Sequence, residues 1–176
     1  MNEIIKKNGI NFGIITGVIS VLITSSVYII DLSLMTKWWL GLSILAIYIV
    51  VGCVLLSKTR KYLGGFMSFK EGFTTYFISA LIGVAISVLF NILLFNFIDT
   101  DAADVLKEKT IEKTVQMMEN FNTPNEAIAA AVDQIESQNQ WSIGNILKGL
   151  AGYIVFFSVI GLIVAAAMKK SKPDTE

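Results

Sequence analysis

Histidine is absent from all 176 residues. The commonest metal ligand, and the one side chain that ordinarily titrates near neutral pH, are therefore both missing. A single cysteine, Cys53, excludes an intrachain disulfide. It lies inside an apolar run, where it reads as a small buried hydrophobe. Four long stretches, 9–30, 38–56, 73–98 and 149–168, contain no Asp, Glu, Lys or Arg. Proton and ion pathways place such groups at membrane depth, so their absence argues against a proton-coupled transporter, a pump or an intramembrane protease. The chain also lacks a GxSxG, a phosphate-binding loop, an H-E-x-x-H and a C-x-x-C. No catalytic, cofactor-binding or metal-binding residue is predicted, and an enzyme is not expected. Acidic and basic residues number 14 each, so net charge points to no nucleic acid or other polyanionic partner.

What the chain has in abundance is apolar surface. Hydrophobic residues make up 54% and charged residues 16%, against about 45–50% and about 25% in soluble domains. Each uncharged run approaches or exceeds the roughly 20 residues that a helix needs to cross a bilayer. The first run is longer than a signal-peptide core and is followed by no A-x-A site, so it reads as a retained span. Membrane lipid is the expected surrounding. The fold class predicted is all-α: a polytopic bundle of four transmembrane helices with an amphipathic helical hairpin outside the lipid.

Between the second and third runs lies SKTRKYLGGFMSFKEG, residues 57–72, with Lys58, Arg60, Lys61 and Lys70 against one acid, Glu71. Basic joints of this kind stay on the cytoplasmic face, so these four residues are predicted to set the topology. Ser68 and Glu71 have the spacing of a capping box, and Gly64-Gly65 supplies a turn before it. Four spans put both termini on that same side. Lys6, Lys7, Lys169, Lys170 and Lys172 then lie inside, while Trp38, Trp39 and Trp141 fall on the outer face. A multi-pass membrane protein with both ends cytoplasmic follows as an expectation.

The one long polar segment is 99–145. Val105, Ile111, Val115 and Met118 fall near one helical face, as do Ile128, Val132 and Ile135. A helix from about 101 to 121 and another from 124 to about 137 are predicted, the second opened by a capping box of Thr123 and Glu126 around Pro124. Its acids read as a solvated face that suits the helix dipole. Lys148 is expected to snorkel outward and pair with Asp31 or Asp99.

Two stripes of small residues at steps of four complete the pattern. Gly9, Gly13 and Gly17 mark the first span and continue through Ser20 and Thr24; Thr75, Ser79, Gly83, Ser87 and Asn91 mark the third. In lipid, helices associate where small residues let backbones approach. Both stripes therefore read as packing faces within the bundle, with self-association as the alternative. Asn91 should find a partner across the bundle, Ser158 or Thr24 by depth, and Asn96 should be hydrated near the boundary.

The basic N-terminus, Gly13 and Gly17, the joint from Arg60 to Phe73 ending in Met-Ser-Phe-Lys-Glu-Gly-Phe, and the outer loop before the last span resemble the bacterial domain-of-unknown-function 4199 family. The likeness extends along essentially the whole chain. It implies a four-span inner-membrane protein with no established activity, cofactor or catalytic residue. The leading functional expectation is a non-enzymatic structural component binding an envelope protein or a second copy of itself. The alternative is a passive carrier or channel for a small neutral or lipid-like solute, its path lined by the Thr75-to-Asn91 stripe. A water-accessible cavity along that stripe would favour transport; a filled interior would favour the structural role.

Overall fold

A computed structural model describes residues 2–138 and 140–171. Its helices are α1 (Glu3–Ile30), α2 (Trp38–Tyr62), α3 (Phe69–Leu93), α4 (Asp101–Asn120), α5 (Asn125–Ser137) and α6 (Ile143–Met168). A 3₁₀ turn, Leu32–Thr36, joins α1 to α2, and a π-helical turn, Leu94–Ile98, prolongs α3. No β-strand occurs among the described residues. Helices α1, α2, α6 and α3 with its extension are each long and apolar enough to cross a membrane. The molecule is an all-α polytopic bundle, with the α4–α5 hairpin at one end and the basic joint at the other.

All four long helices outrun their uncharged cores, α3 starting at Phe69 ahead of Lys70 and Glu71. α1 begins at Glu3, where the Asn2 side chain accepts from the Ile4 amide at 2.9 Å. α2 continues to Tyr62, and α6 starts at Ile143, capped by Ser142. The reason is physical: absence of charge marks the depth of hydrocarbon, whereas a helix continues until its backbone is capped or turned. The joint does turn, with Gly64 and Gly65 at φ +82° and +91°, values that favour glycine.

The bundle packs small faces inward and large apolar side chains outward. α1 buries Gly9, Gly13, Thr16, Gly17 and Ser20, yet exposes Ile14, Ile15, Val18 and Leu22. That arrangement is adverse in water and natural in lipid, where close packing, not hydrophobic exclusion, joins helices. The core of the basic half centres on Tyr76 of α3, whose ring passes between Gly52 of α2 and Gly161 of α6. Its hydroxyl is buried and has no hydrogen-bond partner among the described residues.

Each end is tied separately. At the basic end, Asn8 of α1 donates to the Thr59 hydroxyl of α2 at 3.1 Å, and Arg60 donates to the Met168 carbonyl at 3.3 Å. Met67 and Lys170 exchange two backbone hydrogen bonds of 2.9 Å each, fastening α6 to the joint. At the hairpin end a second core of Leu94, Phe95, Ala102, Ala103 and Leu106 seats the start of α4 on the π-helical turn.

A cleft between the four spans

Seen from the hairpin end, the bundle is hollow. A cleft of about 450 Å³ opens there and reaches down to Tyr48 and Phe157. All four spans contribute: Ser20, Thr24 and Val27 from α1, Leu40, Ile44 and Tyr48 from α2, Val84, Ser87, Val88 and Asn91 from α3, and Ile146, Gly149, Tyr153 and Phe157 from α6. Gln140, Trp141 and Asn145 stand at its mouth. Its lining includes no charged side chain.

The floor is closed by stacking. The Tyr48 and Phe157 rings lie 4.4 Å apart at 25°, and the Tyr48 hydroxyl sits 3.2 Å from that of Ser20. Below them, Tyr76 fills the bundle between its two glycines. The mouth is built by the π-helical turn. Asn96 donates to the Trp141 carbonyl at 3.0 Å, and the Trp141 ring lies 4.5 Å from that of Phe95. π-helical turns interrupt regular i−4 bonding and recur at functional sites. Here the turn directs Phe95 and Asn96 onto the connector that leads into α6.

Beside the mouth, the Tyr28 hydroxyl donates to Asp99 at 2.6 Å and the Ala102 amide donates to the same carboxylate at 3.0 Å. Those bonds, the tyrosine's first, hold the Asp99 carboxyl below its usual pKa. Asp31 is held low in the same way by the Ser33 hydroxyl and amide. Lys113 donates to the Thr36 carbonyl at 2.6 Å, pinning α4 to the 3₁₀ turn.

The two small-residue stripes face each other within one chain. A Cβ built on Gly9 would lie 3.1 Å from the Thr75 carbonyl, and one built on Gly13 would lie 2.9 Å from that of Ser79. Gly17 meets Ile86, and Gly83 meets Thr16. Thr75, Ser79 and Gly83 are therefore buried in the α1–α3 seam, while Ser87 and Asn91 continue the stripe as cleft wall. Of the joint cations, Lys58, Lys61 and Lys70 are exposed and Arg60 is half-buried on the end of α6. Lys58 lies 5.5 Å from the Phe12 ring centre. Lys172 falls outside the described residues.

Several expectations are corrected. Asn91 donates to the Ser87 carbonyl of its own helix at 2.8 Å, and Ser158 likewise to Ile154 at 2.6 Å. In these two rotamers a backbone carbonyl one turn away is within reach, and bonding to it orders no second helix. Asn96 donates to the Trp141 carbonyl at 3.0 Å and to the Ile92 carbonyl of its own helix at 3.2 Å. Lys148 makes no ion pair among the described residues, because Asp31 and Asp99 are engaged by hydroxyls. The ion pair that does form is Lys109–Glu112 at 3.0 Å. α4 buries Ala102, Ala103 and Leu106, whereas Val105 is 41% exposed. The Thr123–Glu126 capping box does not form. Cys53 is only partly buried, packed against the core cluster.

The sequence pattern missed Tyr48, one of five tyrosines and set in a charge-free run without any distinguishing spacing. Ser20, its partner, lay on the extended glycine stripe and was legible as an inward position.

No curated protein and no solved structure matches the chain. The family model described as "Protein of unknown function (DUF4199)" matches residues 11–170. That match takes in the first span from residue 11 onward, the other three spans, the basic joint and the hairpin, and on it the chain belongs to the DUF4199 family.

Proposed function

We propose that the protein is a non-enzymatic binding component of the bacterial inner membrane that takes one neutral, lipid-like molecule into the cleft from the outer face. The observation that carries this reading is the cleft itself: about 450 Å³, opening at one end, with no charged group in its lining. Small-molecule sites span roughly 300–1,000 Å³ and combine apolar walls with a few polar groups. An ionised headgroup would lose its hydration there without a counter-charge, which selects for uncharged molecules. The stacked floor favours a binding site over an open channel, since Tyr48, Phe157 and Tyr76 fill the basic half. The outer orientation of the mouth rests on the bias of Lys58, Arg60, Lys61 and Lys70 at the opposite end. The engagement of the glycine stripe with α3 weighs against that stripe as a surface for a second copy.

Thermal unfolding of the purified protein in mild detergent tests the proposal. Monooleoylglycerol should raise the unfolding temperature saturably, by about 5 °C or more at a hundredfold excess over Kd. Its anionic analogue, oleoyl lysophosphatidylglycerol, should not. Ser87→Phe, which fills the cleft wall, should remove the response. Equal responses to the two amphiphiles, or an undiminished response in Ser87→Phe, would refute it.

A further inference from the structure

The floor of the cleft holds a hydroxyl pair with one proton to spare. Ser20 Oγ and Tyr48 Oη lie 3.2 Å apart and either can donate. Both side chains line the cleft, and both residues are more than nine-tenths buried, at 7% and 6% exposure. Two hydroxyls bring two protons, and the bond between them uses one. No acceptor for the second is found among the described residues. The side chains packed in one cluster with Tyr48 include Val84, Val88 and Phe157, which offer no acceptor. A buried donor without an acceptor is costly, and here it borders a space large enough for a ligand.

We propose that the Ser20–Tyr48 pair recognises an acceptor oxygen, hydroxyl or carbonyl, at the end of an otherwise apolar molecule. The molecule enters polar end first, its oxygen taking the spare proton at the floor and its apolar body lying along the cleft towards the mouth. That orientation is opposite to the one a lipid headgroup takes in a bilayer leaflet. The pair keeps its donor whichever hydroxyl donates internally, because the proton not used in the Ser20–Tyr48 bond is always left over. The Tyr48 ring is held by its stack on Phe157, so its hydroxyl is fixed before a ligand arrives.

This inference rests on the cleft being a binding site, and the test separates the two. Trp141 at the mouth serves as reporter in a Trp38→Phe/Trp39→Phe background. The probes are dodecanol brominated at its last two carbons and dodecane brominated likewise, titrated as mole fraction of detergent. The alcohol should half-quench Trp141 at about a tenfold lower mole fraction than the alkane, as one net hydrogen bond implies. Dodecanol brominated beside its hydroxyl should quench less, since its bromines would sit at the floor. In Ser20→Ala/Tyr48→Phe the alcohol should fall to the level of the alkane, and the unchanged alkane titration reports an intact cleft. Equal quenching by alcohol and alkane in the parent protein overturns the assignment whatever the double variant does, and leaves the cleft as a site for apolar chains. Quenching by neither probe beyond that of dispersed bromide-bearing detergent would overturn the binding reading as well.

Discussion

A methyl group at position 13 would stand 2.7 Å from the Ile82 Cβ and 2.9 Å from the Ser79 carbonyl oxygen. The second neighbour is backbone and cannot swing aside, so the helices must part. Gly13→Ala should lower stability by about 1–3 kcal/mol, read as an earlier midpoint on titrating the monomer with denaturing detergent. Gly13→Ile should leave no folded monomer. A Gly13→Ile protein that keeps a native monomer and loses only a dimer would instead assign the glycines to self-association. The spacing of Gly9, Gly13 and Gly17 was readable from the chain because a step of four keeps residues on one helix face. The partner of that face was not, since any of three other spans offers small residues. Tyr48 was illegible for a related reason: whether a tyrosine hydroxyl meets a serine depends on how two helices approach.

Helix starts show how local such legibility is. Ser68 accepts from the Glu71 amide at 3.3 Å while Glu71 accepts from the Ser68 amide at 2.8 Å, the predicted reciprocal box. Thr123 and Glu126 have the same spacing and form nothing. The difference lies upstream. Asn122 takes a left-handed φ of 53°, and the Thr123 amide donates back to the Met118 carbonyl at 3.0 Å. Thr123 thus closes α4, and Pro124 occupies the cap of α5. Ser68→Ala should destabilise the start of α3 by about 1 kcal/mol, seen as faster hydrogen exchange of the Glu71 amide. Ser68→Asp should restore protection. An exchange rate unchanged in Ser68→Ala would show that the box contributes nothing.

At the scale of the molecule, four charge-free runs were enough to foresee an all-α bundle, because a backbone in hydrocarbon must satisfy its own hydrogen bonds. Ser87 and Asn91 belong to the stripe expected to wall an alternative solute path and do line the cleft, but its extent and its other walls were not foreseeable. A void marks where side chains fail to meet, and no residue type signals that. Orientation remains a matter of charge: the joint holds Lys58, Arg60, Lys61 and Lys70, whereas 99–145 is rich in acids. Protease added to intact spheroplasts should cut the 99–145 segment and spare the joint, and a reporter fused after Lys172 should be active only in the cytoplasm. The reverse pattern would invert the molecule and move the cleft mouth to the other compartment. The seat of Tyr76 sets the spacing of the lower spans. An aromatic ring flush against two glycine-bared helices leaves no slack at that level, so a single methyl group added at Gly52 or Gly161 would have to wedge α2 or α6 away from α3.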